Sequence, residues 1–177
     1  MHRLTLMAVN DNIPWHLRSY FEEADAWIES RPKEQPLKGE GNPRTLILEI
    51  YSHWEKDDWK KCFETADKLI GLAPEISAGW IYRSRAVREM RSPREALKLL
   101  MPATTRFPDS WEILFYMACF HSAAKQYKKA GEWLEKAKGA SHENVMQNEL
   151  STPDLAGYWK HRSRQGLAHP YEFDKGD

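Results

Sequence analysis

Apolar positions along this chain follow the spacing of amphipathic helices, and the helices repeat in pairs. Compared with itself at an offset of 34, the chain gives a consistent series of columns. Cys62, Ala96 and Ala130 are all small; Ala66, Leu100 and Leu134 follow, then Leu69, Ala103 and Ala137. Leu46, Trp80 and Leu114 form a large apolar column, and Ile50, Ser84 and Ala118 a mostly small one. Pro74 and Pro108 keep the same step, and the next lands on His142. The pattern predicts three units, 43–76, 77–110 and 111–144, each of two helices. The first helices are expected at about 43–56, 77–90 and 110–124, the second at about 58–72, 92–106 and 126–139.

Start and stop signals agree with these bounds. Asn42-Pro43 and Ser92-Pro93 each put a capping side chain before a proline at the first helical position. Asp57 and Asp58 are candidate caps for the helix beginning near Trp59. Pro74 and Pro108 cannot continue a helix, so the second helices end before them. The small columns have a packing reason: helix pairs joined by tight turns need close backbone approach.

Outside the repeats, residues 14–30 predict an amphipathic helix with Trp15, Tyr20, Ala24, Trp27 and Ile28 on one stripe. The proline-, glycine- and charge-rich run 31–42 reads as a linker. A short helix is expected over 143–150, and Thr152-Pro153-Asp154 opens another through about Arg164. The last dozen residues read as a frayed tail. The organisation expected is therefore an N-terminal arm at 1–42, the repeats at 43–144 and a capping helix with tail at 145–177.

Composition narrows the function classes. With 177 residues and 41% hydrophobic, the chain is long and apolar enough for one packed domain with an arm. Lys plus Arg and Asp plus Glu both number 26, so there is no basic surplus of the kind nucleic acid or an anionic membrane attracts. No apolar run is long enough to span a bilayer, and the N-terminus lacks the apolar core of a signal peptide. Cys62 and Cys119 form no CxxC pair, which reads as reduced thiols in a cytoplasmic protein.

These columns resemble the tetratricopeptide repeat. Trp80, Ala96, Leu100, Ala103 and Pro108 match that family's pattern in one unit, and Leu114, Ala118, Tyr127, Ala130, Leu134 and Ala137 in the next. The first unit departs from it, with Leu46 for the aromatic, Ile50 at a usually small position and Cys62 for alanine. No glycine precedes the second helices. The resemblance implies an all-α, right-handed α-α superhelix of three helix-turn-helix repeats, with an N-terminal helix and a C-terminal capping helix whose Leu155 and Trp159 pack on the third unit. It also implies a concave groove, lined by the first helices, that binds extended or helical peptides.

Helix geometry assigns residues to that groove. The first unit contributes Ile47, Tyr51 and Trp54; the second Ile81, Tyr82, Arg85 and Arg88; the third Phe115, Tyr116 and Cys119. Tyrosine, tryptophan and arginine are enriched at binding hot spots. The same residues also fit an ordinary core covered by the N-terminal arm, and both readings stay open. Arginines 83, 85, 88, 91 and 94 read first as a solvated, ion-paired surface, with Arg85 and Arg88 also able to take an acidic side chain. The lysines and asparagines of the family's carboxylate clamp are absent; Ile47, Tyr51 and Phe115 stand on that face.

Catalytic chemistry finds no support in the sequence. There is no HExxH, no zinc-finger spacing, no GxxxxGK[ST] and no GxGxxG. Cys119 and His121 are two apart and diverge on a helix; the adjacent pairs Glu22-Glu23 and Asp57-Asp58 read as solvated charge or caps. The Lys160-His161-Arg162-Arg164 cluster reads as a solvated helix end. The expectation is a non-catalytic adaptor, with no cofactor and no metal, that holds a protein or peptide segment. The alternatives are a small secretion-type chaperone for a hydrophobic partner, or a self-associating scaffold that forms a homodimer when the N-terminal arm fills a neighbour's groove.

Overall fold

The computed structural model describes residues 13–32, 41–141 and 149–167. Among them there are eight α-helices and no strand. They are α1 (Arg18–Glu29), α2 (Pro43–Trp54), α3 (Trp59–Leu72), α4 (Ser77–Met90), α5 (Pro93–Arg106), α6 (Trp111–Ala123), α7 (Tyr127–Ala140) and α8 (Ala156–Arg164). Single 3-10 turns occupy Trp15–Leu17, Glu149–Ser151 and Pro153–Leu155. No described helix is long and apolar enough to cross a membrane. Most of the linker, the N-terminal dozen, the end of the tail and residues 142–148, which hold most of the helix expected at 143–150, lie outside the described residues.

The chain forms two compact units, Met1–Gly79 and Trp80–Asp177, divided within the first turn of α4. In the first, α1 packs on α2 and α2 on α3. The Asn42 side chain accepts from the Arg44 amide at 2.9 Å, with Pro43 at the first helical position, which starts α2. Asp58 caps α3 by accepting from the Lys61 amide, and that interaction also holds its carboxyl below the usual carboxylate range. The opening turn of α4 lies close on α3. A Cβ on Gly79 would meet Ile70 at 2.9 Å and the Ala66 carbonyl oxygen at 3.2 Å, so a larger residue would push the helices apart.

In the second unit α5 packs on α6 and α6 on α7, while α8 lies against both α6 and α7. Ser92 and Ser110 cap α5 and α6 through the amides of Glu95 and Ile113. The helix α6 is buried nearly all round, from Ile113 to Ser122 apart from Tyr116, because α5, α7, α8 and the turn Pro153–Leu155 surround it.

The register of the repeats is visible in burial. Nine column positions of the second helices (Cys62, Ala66 and Leu69; Ala96, Leu100 and Ala103; Ala130, Leu134 and Ala137) are each 0% exposed. The connecting turns repeat as well. The Asp58 amide donates to the His53 carbonyl at 2.9 Å, and 68 residues on the Gln126 amide donates to that of His121 at 2.8 Å. Just before the second helices of the first and third pairs, Asp57 and Lys125 take left-handed backbone with φ of 55° and 60°. Pro74 and Pro108 follow helices that stop at Leu72 and Arg106.

One stripe is out of phase with expectation. Trp15 is 58% exposed, while Leu17 and Phe21 join Tyr20 and Ala24 in the core. Pro14 opens a 3-10 turn at Trp15–Leu17, and three residues per turn break the 3.6-residue phase that extrapolates back to Trp15.

Candidate functional site

The ten groove residues read from sequence fall into the two units, three in the first and seven in the second, and each set has its own wall. In the first unit Arg44, Ile47 and Tyr51 share one face of α2, and α1 runs along that face in the opposite direction. Arg44 donates one guanidinium nitrogen to both oxygens of Asp25, at 2.6 and 2.7 Å, and lies over the Phe21 ring. At the other end the His16 ring sits 5.3 Å from Tyr51. Partial burial, then the nearby Glu55 charge and a hydrogen bond to it, push the Tyr51 phenol above its ordinary range. Trp54 packs edge-on against Trp59 at 4.7 Å.

A second anchor of α1 was not legible as such. Both oxygens of Glu23 reach the first residue of α4: the Ser77 amide donates at 2.6 Å and its hydroxyl at 2.7 Å. Glu23 is thus a helix cap supplied from 54 residues away, and the carboxylate meets the positive end of the helix dipole. The sequence reading of Glu22-Glu23 as solvated charge or caps holds in halves: Glu22 is exposed and Glu23 caps.

In the second unit the wall is aromatic and basic. The Arg85 guanidinium lies between the Tyr82 and Tyr116 rings, 5.1 and 4.9 Å from their centroids. Arg88 pairs with Glu89 at 2.6 Å and, across to the C-terminal segment, with Asp154 at 2.5 Å. The turn Pro153–Leu155 packs on α6, Leu155 and Leu150 are buried, and the Trp159 indole donates to the Leu150 carbonyl at 2.8 Å. Glu149 and Asp154 both lie within electrostatic reach of Cys119. Burial pushes the Cys119 thiol well up, with Asp154 adding to it and Arg85 and Arg88 opposing. Burial likewise raises the Tyr116 phenol, against the pull of Arg85.

Half of the assigned residues are therefore core. Ile47, Ile81, Tyr82, Phe115 and Cys119 are all buried, so no partner touches them while the chain holds this conformation. For Ile47, Phe115 and Cys119 the physical reason is coverage: a helix face that would line an open groove is closed by the chain itself, by α1 over α2 and by residues 149–155 over α6. Such cover is expected from the sequence, though from the N-terminal arm alone. The arm covers α2; on α6 the cover is C-terminal. Tyr51, Trp54, Arg85, Arg88 and Tyr116 remain half-buried with some access to solvent. The solvated, ion-paired reading of the arginines fits Arg91 and Arg94, which are exposed, and in part Arg88, which is ion-paired though half-buried; Arg85 instead packs between two tyrosine rings.

One residue announces the C-terminal docking. Gly131 stands in the column of Phe63 and Leu97, and a Cβ there would meet the Tyr158 hydroxyl at 2.9 Å. The missing side chain admits α8. His161 of the basic cluster stacks on Tyr127 at 4.7 Å, and Arg162 donates to the Tyr158 hydroxyl, so part of that cluster packs instead of standing in solvent. His121 is buried, shares a 2.6 Å hydrogen bond with the Gln126 amide oxygen through Nδ1, and stacks on Trp133. Burial, the larger effect, and Lys129 lower its pKa, against the Gln126 bond.

No family model and no curated protein matches the sequence. Among solved structures, that of the TPR2B domain of yeast Sti1 in its pHsp70 complex superposes with a TM-score of 0.56. The match is 23% identical, covering 69% of this chain and 97% of that one. The fold is that of the tetratricopeptide repeat. At this identity the likeness carries the architecture, and the 34-residue register of buried columns carries it independently.

Proposed function

We propose that this chain is a non-catalytic protein-interaction module that holds a peptide or protein segment on the inner faces of its first-position helices. The observation that carries the reading is that these faces already hold polypeptide. The wall of α2 holds α1 through Asp25, Phe21 and His16, and the wall of α6 holds the turn at Pro153–Leu155. Walls that combine buried apolar side chains with accessible tyrosine and arginine suit a segment's backbone and side chains together. The yeast Sti1 domain of like fold, solved as a complex with pHsp70, is consistent with such a use.

The test is capture by the immobilised full chain, followed by mass spectrometry, against a variant carrying Arg85→Glu and Tyr116→Ala. These side chains are half-buried and accessible, so the helices should survive, as circular dichroism would verify. Each removed contact is expected to weaken capture by about 2 kcal/mol, roughly 30-fold. Undiminished capture by the double variant rejects the wall as the binding surface.

A further inference from the structure

The segment that closes the α6 wall has the make-up of a ligand. It is two 3-10 turns, Glu149–Ser151 and Pro153–Leu155, held internally by the Thr152 and Leu155 amides donating to the carbonyls of Glu149 and Thr152 at 3.1 Å. It offers the wall two leucines, Leu150 and Leu155, and one aspartate between them, Asp154. The wall answers with apolar surface on α6 and with Arg88, a half-buried guanidinium that a carboxylate partner neutralises. Asp154 lies within the chain and not at its end, so the charge read here is a side-chain carboxylate.

We propose that residues 149–155 are an internal ligand of the second unit, and that its partners are internal peptide segments presenting an aspartate beside a leucine, which compete for Arg88 and the α6 wall. The inference deepens the proposed function and rests on it. A tethered segment acts at an effective concentration on the order of millimolar, so it outcompetes a weaker free peptide. The apparent affinity of the site falls by the fraction of molecules in which the segment is released. Release also uncovers Cys119, which is 0% exposed in the closed chain.

The probe is a fluorescein-labelled synthetic peptide with the sequence of residues 149–159, titrated against the full chain by anisotropy. Asp154→Asn in the chain weakens the tether's hold without touching the core. The chain carrying it is expected to bind the peptide at least tenfold more tightly than the unaltered chain. Adding Arg88→Glu should abolish that binding, and replacing the peptide's own aspartate by asparagine should weaken it at least tenfold. Leu155→Ser gives a second way to release the segment. In a Cys62→Ala background, the rate at which a thiol reagent labels Cys119 should rise with Asp154→Asn and fall again when peptide is added. Equal peptide affinity for the unaltered and Asp154→Asn chains, or Cys119 labelling unaffected by that change, overturns the proposal. If the chain ignores the peptide yet still captures a protein through Arg85 and Tyr116, the internal-ligand idea fails and the proposed function stands; loss of both removes both.

Discussion

Glu23→Ala should destabilise the chain by about 2–3 kcal/mol, a large effect for one half-buried carboxylate. The side chain accepts from the Ser77 amide at 2.6 Å and from the Ser77 hydroxyl at 2.7 Å, with a longer contact at 2.9 Å. Hydrogen bonds to a charged group contribute roughly 1.5–3 kcal/mol each. A negative charge at a helix N-terminus adds about 0.3–1 kcal/mol. Exposure of the carboxylate and recovered hydration after truncation offset part of that sum. Against this, Ser77 is itself buried, so its amide loses a partner that water cannot readily replace. For a chain of this length the loss corresponds to a fall in Tm of about 5–10 °C. The assay is urea unfolding followed by circular dichroism, with Glu22→Ala as control. Glu22 is exposed, so its truncation should stay within about 0.5 kcal/mol of zero. If Glu23→Ala behaves like the control, α1 does not anchor the start of α4 and the account of the first unit is wrong.

Two further predictions concern the second unit. Pro102 lies inside α5 on an exposed face, where it removes one helical hydrogen bond; Pro102→Ala should raise stability by about 1–2 kcal/mol in thermal unfolding, and a lowered Tm would refute the assignment. His121 is held neutral by burial, with its pKa below 6.5, so on acidification the unfolded chain takes up the proton first. The His121 contribution should be complete above about pH 6.5 and be lost as pH falls from there through the folded value; His121→Gln should flatten this part of the pH dependence of the urea midpoint, and an unchanged slope would reject it.

Much of the fold was legible because repetition multiplies weak signals. Cys62, Ala96 and Ala130 say little one at a time, but three small residues in step, flanked by Pro74 and Pro108, specify helix pairs and their spacing. Caps were legible for the same local reason: Asn42, Asp58 and Ser92 act within three residues of themselves. The site was legible only as a set of helix faces. Periodicity tells which side of α2 is apolar, and composition shows α6 apolar nearly all round, but neither tells what covers a face. For Ile47 and Phe115 groove and covered core therefore both stay open in the sequence, and in the structure they are buried. The covering contacts join distant positions, Glu23 to Ser77 and Arg88 to Asp154, and no periodicity links such pairs. Besides the helix opened by Thr152-Pro153-Asp154, a sequence mark of C-terminal docking is Gly131, a gap in the column of Phe63 and Leu97 that Tyr158 fills.

The chain's own segments occupy faces of its helices, and the pair Arg88–Asp154 is where that is most directly measured. A double-mutant cycle of Arg88→Ala and Asp154→Ala, read by urea unfolding of the full chain, isolates their coupling. For a 2.5 Å ion pair with side chains 27% and 18% exposed, the predicted coupling is about 1.5 kcal/mol in favour of the pair. A coupling indistinguishable from zero would mean that residues 149–155 do not rest on this wall.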